Sequence, residues 1–378
     1  MSSGDPPRVS IGLPVYNGAR WLAQSLDSLL AQTFSDFELI ICDNASTDGT
    51  EAISRSYAER DPRIRYIRNA MNIGGMRNAT RSFELARGQY FRWAAHDDLC
   101  APALLERLVE VLDSRPGVVA AVSPSISIDS HGERLSNFVV GKAEGTSLWL
   151  RRHDRPLVTD DAGVRYSTEG TATSPSRRFR EVIMTLGPCE GTYGLIRSDV
   201  LRHTCLQQPY TSSDVVMLCD LVMRGPFHVI SEPLFYKRWH ASNVRRERGP
   251  ARMVWSRPEL AETGNVSLPY WLQLRGYIST VVRSPLPLTE RVRCGASILR
   301  WVRIRWKFLV WDVAFASLMT VHSRDWRRRC YAVDRWTDTQ EPAAVPDERA
   351  GNASLDPTSG DLRRIPAEPG QVSGPPSA

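Results

Sequence analysis

From Arg8 to Ser123 short β-branched runs alternate with helical stretches, and this alternation limits the possible folds more than any other feature of the chain. Val9-Ser10-Ile11-Gly12-Leu13, Phe37 to Cys42, Ile64 to Ile67, Tyr90 to Ala94 and Val118 to Val122 read as strands. The stretches near 20–32, 48–60, 76–87 and 102–114 read as helices. Strands separated by helices are joined by crossovers, which predicts an α/β fold: a Rossmann-like, mainly parallel sheet flanked by helices. Ligands bind such sheets at the carboxyl ends of the strands, so the residues after each strand carry most of the functional information.

Those residues are Pro14-Val15-Tyr16-Asn17-Gly18, Asp43-Asn44-Ala45-Ser46-Thr47-Asp48-Gly49, Asn69 to Gly75, and His96-Asp97-Asp98. Taken singly, each is a turn or a cap, since Asn17 and Asp48 suit N-caps and Asp43-Asn44 suits a turn. Four together at one edge point to a site. Neither G-x-G-x-x-G nor G-x-x-x-x-G-K-[ST] follows the first strand, which removes the support for a dinucleotide oxidoreductase. Adjacent Asp97 and Asp98 can hold a hard divalent cation that also bridges two phosphates, the exposed acidic edge then serving chemistry. Their alternative is to cap the helix that opens at Pro102. Asp43 either accepts a hydrogen bond from the imide N–H of a base or ends its strand. Arg77 either reaches a phosphate or makes a surface ion pair.

The run Val9 to Asn17, then Cys42 to Thr50, then Asn72-Ile73-Gly74 with Arg77-Asn78, then Asp97-Asp98, resembles the family 2 glycosyltransferases of GT-A fold over roughly residues 8–240. The resemblance implies an inverting, non-processive transferase that moves a sugar from a nucleotide-diphosphate donor to a hydroxyl on a glycan, lipid or small molecule. It implies that Pro14, Tyr16, Asn17, Asp43, Asn44, Asn72, Arg77 and Asp97 bind the donor. Asp98, with Asp97, would hold Mg²⁺ or Mn²⁺, and His240, after Phe235-Tyr236-Lys237-Arg238-Trp239, matches a residue that many relatives place near the diphosphate and is a further metal candidate. The general base of the family opens a helix in the acceptor half, where this chain has Ser212-Ser213-Asp214; Asp214 is the matching residue, and Ser213 stands where a Glu is usual. Asp214 as a helix cap is the plainer alternative, and Glu190 and Asp220 are the fallback bases. Processive relatives carry Gln-x-x-Arg-Trp; here Phe235 occupies the Gln position before Arg238-Trp239.

Two rivals remain open: a sugar-phosphate nucleotidyltransferase, whose Gly-rich loop is missing from residues 12–20, and a non-catalytic sugar-binding protein. The expected organisation is a flexible 1–7, a nucleotide-sugar half at 8–125, an acceptor half at 126–266, a helical extension at 267–336 and a disordered tail at 337–378. Stretches 141–175 and 241–266 lack a regular pattern and read as mobile acceptor loops. The tail is rich in Pro, Gly and Ser with few large apolar residues.

Charge is uneven: residues 267–336 carry 13 Lys and Arg against 4 Asp and Glu, and residues 337–378 carry 3 against 7. Residues 297–311 have the composition of an interfacial helix, so peripheral membrane contact stands beside packing on the catalytic domain, with packing placed first. No nucleic-acid partner is expected. The seven cysteines form no C-x-x-C pair and read as reduced core thiols. With no apolar leader and no run of about 18 apolar residues, the expectation is a cytoplasmic bacterial protein, at most peripheral on the inner face of the membrane, in cell-surface polysaccharide synthesis.

Overall fold

A computed structural model describes residues 6–135, 164–165, 170–184, 190–240, 250–324 and 326. The expected alternation is present: β1 (Val9–Val15), α1 (Ala19–Leu30), β2 (Phe37–Asp43), α2 (Thr50–Arg60), β3 (Ile64–Arg68), α3 (Gly75–Glu84), β4 (Tyr90–Trp93), β5 (Leu99–Cys100) and α4 (Leu104–Ser114). After these come β6 (Ala120–Val122), β7 (Ser125–Ile128), β8 (Val164–Arg165), α5 (Pro175–Met184), β9 (Leu195–Arg197), α6 (Ser198–Arg202), α7 (Ser213–Arg224), β10 (Phe227–Val229) and β11 (Phe235–Arg238). The chain closes its described part with α8 (Pro250–Ser256), α9 (Glu259–Thr263), α10 (Pro269–Arg283) and α11 (Leu288–Val321).

Seven strands form the main sheet in the order β10-β6-β9-β4-β1-β2-β3, and a smaller sheet runs β5-β11-β7-β8. In the main sheet β1 is parallel to β2 and β4, β2 to β3, and β10 to β6, whereas β9 runs antiparallel between β4 and β6. All seven residues of β2 are buried, as a strand covered on both faces requires. Side chains alternate between two cores: Phe91 and Trp93 face α3, α5 and α7, while Tyr90 and Ala94 face α1 and α4. Because β9 and β10 enter the sheet begun by β1–β4, the segments expected as separate halves, 8–125 and 126–266, share one sheet, and residues 1–336 fall in one unit.

Stretch 241–266 departs from its expected irregularity. Residues 250–256 and 259–263 are helical, and Met253 and Leu260 bury with Met319 in a small apolar cluster that the sparse local pattern does not reveal. Residues 136–163 and 241–249, and the tail 337–378, lie outside the described residues. The extension packs: Cys294, Ile298, Trp301 and Leu309 of α11 are buried in the core of α5 and α7. No described helix is long and apolar enough to cross a membrane.

Candidate active site

Val15, Asp43 and Arg68 are register partners across β1, β2 and β3, so the three loops that follow start at one level of the sheet. Side-chain hydrogen bonds tie these loops together. The Asn17 backbone N–H donates to Ser46 Oγ at 2.9 Å, and the Thr47 N–H donates to Asn17 Oδ1 at 2.8 Å. Asn17 holds a left-handed conformation (φ 51°), which an Asn tolerates better than a branched residue. Asp48 bridges two helix starts, accepting from Thr50 N–H and from Ala19 N–H, each at 3.0 Å. Asn44 donates to Asn72 Oδ1 at 2.7 Å and accepts from the Ile73 N–H at 2.9 Å. Asn69 and Asn78, both buried, join that network at 2.8 Å.

Asp43 is fully buried and its carboxylate is occupied by the protein. It accepts from the Ser46 N–H at 2.8 Å, the Tyr66 hydroxyl at 2.7 Å and Arg68 Nη1 at 3.0 Å. The sequence does not single out Tyr66 and Arg68, because apolar alternation along a strand hides the polar residues that close its end. Tyr16 is exposed and Pro14 half-buried on the same edge. Arg77, on α3, pairs with Glu259 of α9 at 2.7 Å. This contact and Gly74 seat α8 and α9 on the loop: Gly74 has φ +90°, and a Cβ there would meet the Ser256 carbonyl oxygen at 2.5 Å.

The fourth loop joins the first by close packing, since a Cβ on Gly18 would meet the His96 ring at 2.6 Å. Asp97 and Asp98 do not cap α4, whose N-cap is Ala103. They face the end of β11 instead. Asp98 Oδ1 accepts from the Arg238 N–H at 2.9 Å, and Asp97 Oδ2 lies 2.9 Å from His240 Nε2. The acidic edge is thus recessed where sequence suggested exposure, with Asp98 only 6% accessible. Burial pushes the Asp97 carboxyl up, but His96 and the His240 hydrogen bond outweigh it, so Asp97 titrates below the ordinary aspartate range. Asp97 therefore stays ionised at neutral pH.

Arg238 organises this corner. It is buried, and its guanidinium donates to the Asp97 carbonyl at 2.8 Å, Gln24 Oε1 at 2.9 Å and the Ser130 carbonyl at 3.2 Å. The Trp21 ring packs against His240 at a tilt of 32°, with ring centroids 4.0 Å apart. The local sequence signals neither role: Arg238 resembles part of a processivity motif, and Trp21 lies within a stretch of helical pattern.

Asp214 lies in the first turn of α7, inside the helix, while the N-cap is Ser212 in a left-handed conformation with no side-chain cap. The cap alternative for Asp214 is thereby corrected: its position follows the cap by two residues. Ser213, buried, donates to the Gln208 carbonyl at 2.7 Å. The preceding loop is held on α3 by Thr80 donating to the Gln207 carbonyl at 2.8 Å, and a cleft of about 360 Å³ runs from Ile73 and Arg77 to Gln207, Gln208 and Pro209. Asp220 is structural, accepting from the Cys205 N–H at 2.9 Å and from Arg283 at 3.2 Å, and the Glu190 side chain lies outside the described set.

Among the described residues no three His, Cys, Asp or Glu side chains group as a metal set. His240, expected as a further metal candidate, makes a hydrogen bond with the Asp97 carboxylate. The two adjacent carboxylates still fit a hard divalent cation, because Mg²⁺ takes one or two carboxylates and completes its shell with phosphate and water.

The family model described as glycosyl transferase family 2 matches residues 10–173. A putative glycosyltransferase, EpsE, of Bacillus subtilis (strain 168) is 36% identical over 135 residues, which cover 35% of this chain and 48% of EpsE. An uncharacterized glycosyltransferase of Rickettsia typhi is 38% identical over 108 residues, covering 28% of this chain and 32% of that protein. The chain thus spans half or less of these relatives. Among solved structures, S. aureus TarS 1–349 in complex with UDP-GlcNAc superposes with a TM-score of 0.53 at 13% identity, covering 80% of this chain and 73% of that one. The complex of the same TarS fragment with UDP gives 0.51 at 14%, covering 77% and 70%. This likeness concerns the fold, a mixed α/β sheet flanked by helices. Residues 10–173 thus match the family 2 glycosyltransferase model, and the chain shares the mixed α/β fold of TarS.

Proposed function

We propose that the protein transfers a sugar from a nucleotide-diphosphate donor to an acceptor hydroxyl with inversion, using Asp214 as base. The observation that carries this reading is the joining of four strand-end loops at one sheet edge, with an ionised Asp97 recessed beside Asp98 at their margin. In this reading Asn17, Asn44 and Asn72 shape the nucleotide wall together with Pro14, Tyr16 and Asp43. Asp43 acts through the loop it braces, because its own carboxylate is already engaged. Arg77 holds α8 and α9 against the loop through Glu259 and faces the cleft that leads toward the α7 loop.

Asp98 and Asp97 would hold Mg²⁺ or Mn²⁺, with His240 orienting Asp97 as hydrogen-bonded partners orient metal ligands. The cation, when bound, neutralises charge on the departing diphosphate. In the transfer step the acceptor oxygen forms its bond to the anomeric carbon from the face opposite the diphosphate, whose bond to that carbon breaks. Asp214 takes the hydroxyl proton, and the nucleoside diphosphate leaves with the bonding pair. Arg238 keeps the acidic loop in place by gripping the Asp97 carbonyl and presenting its N–H to Asp98.

The glycosyl transferase family 2 match over residues 10–173 supports a role in glycan synthesis, and the TarS fragment of similar fold is seen with UDP-GlcNAc, which makes a uridine-diphosphate sugar the first donor to try. A panel of nucleotide sugars, each with Mn²⁺, Mg²⁺ or chelator, tests the reading by thermal unfolding. A true donor at roughly 100 times its Kd adds about 2.7 kcal/mol of apparent stability in the presence of metal. A panel in which no nucleotide sugar raises the melting temperature would remove the proposal; release of pyrophosphate from a sugar phosphate and a nucleoside triphosphate would favour a nucleotidyltransferase instead.

A further inference from the structure

One side of α11 is apolar and faces outward. Val292, Leu299, Trp306, Val310 and Val313 recur at steps of three, four and seven residues, which aligns them along one side of a helix. They are 63, 71, 49, 57 and 47% exposed. At the helical rise this seam is about 30 Å long. The opposite side of α11 is buried in the core through Cys294, Ile298, Trp301 and Leu309, so the helix cannot turn the seam inward. An uncovered apolar stripe of this length marks a surface that meets something else.

Charge selects the partner. α11 carries six basic residues, at 291, 293, 300, 303, 305 and 307, and two acidic ones, Glu290 and Asp312. Both acids are buried, Glu290 accepting from the Ser176 N–H at 2.9 Å and Asp312 from the Tyr270 N–H at 2.8 Å. The outward side of α11 thus presents cations and no carboxylate, and Arg300, Arg303 and Lys307 are exposed beside the seam. A second copy of this chain docked by the same face would set these cations against their own equivalents, as a two-fold interface requires. An anionic bilayer supplies both missing complements, acyl chains for the seam and phosphates for the basic residues. Trp306 suits the boundary, with an apolar body and an N–H for the headgroup layer.

We propose that α11 docks this face onto an anionic phospholipid bilayer, its axis along the surface, without crossing it. The inference goes beyond the transferase reading and is tested without donor or acceptor. The full chain is sedimented with vesicles of phosphatidylcholine alone or with about 30% phosphatidylglycerol, a content that makes the surface anionic. Binding should be at least about tenfold tighter to the anionic vesicles and should weaken with salt. Combining Arg300→Glu, Arg303→Glu and Lys307→Glu should weaken it about 100-fold, since each basic residue near the surface contributes about fivefold. Leu299→Ser with Trp306→Ser should weaken it about tenfold at any salt, and a melting curve confirms that each variant is folded. No binding by the full chain, equal binding to both vesicle types, or unchanged binding by the folded serine variant would overturn the proposal. So would a concentration-dependent dimer that the same serine substitutions dissolve.

Discussion

At Asp214 the family match and the chemistry can be separated by a single atom change. The residue sits inside the first turn of α7, half-buried, with no capping duty to lose. Asp214→Asn should preserve the fold and donor binding and slow transfer by about 10²-fold or more. Single-turnover rates at saturating donor check this. Near-equal rates would move the base elsewhere, though not to Asp220, whose carboxylate is committed to Cys205 and Arg283. Asp98 calls for a gentler substitution than alanine, because it is buried and accepts the Arg238 N–H. Removing that acceptor would cost about 1–3 kcal/mol of stability on its own. Asp98→Asn keeps an acceptor oxygen and removes the charge. Calorimetric titration should then show metal-dependent donor affinity reduced by about tenfold or more while the melting temperature stays close to wild type. An unchanged affinity would take Asp98 out of the metal site.

Among the helices, α10 and α11 are joined by a buried carboxyl whose protonation should be visible in stability. Asp312 accepts from the Tyr270 N–H at the start of α10, and burial pushes it up to about 6. The folded value lies above the unfolded one, so folding takes up a proton between the two. The stability contributed by the protonated form is complete below the unfolded value and is lost as pH rises through about 6. Asp312→Asn cannot ionise. Its stability relative to wild type should therefore improve by about 1–3 kcal/mol between about pH 4 and about pH 8. Urea denaturation at the two pH values measures the difference, and a constant offset would show that Asp312 does not titrate between them. The strap of α8 and α9 is an element of another kind. Its short helices offer few apolar residues of their own and are held by Met253 and Leu260 on Met319, by Arg77 on Glu259, and by the glycine approach at residue 74.

For the molecule as a whole, residues 337–378 offer too little apolar surface to extend the core, and their deletion should leave turnover and melting temperature unchanged. A truncated protein with collapsed activity would show that the tail takes part. The division between what sequence determines and what folding adds is clear in this chain. Alternating apolar runs of period two and period 3.6 identify β1–β4, β6 and α1–α4 to within a few residues, because burial on both sheet faces writes itself into local composition. Turn-forming and acidic residues after those strands mark the edge that carries the site, since loops there cannot be built from core residues. Local pattern says nothing about partners 141 or 143 residues away, which is the separation of Arg238 from the Asp97 carbonyl and of His240 from the Asp97 carboxylate. Only the tertiary structure turns Arg238 from a motif fragment into the clamp of the acidic loop, buries Asp43 under Arg68 and Tyr66, and leaves one side of α11 uncovered. These are long-range packing outcomes: which groups meet depends on where two sheets and their helices cross, and no window of neighbouring residues contains that information.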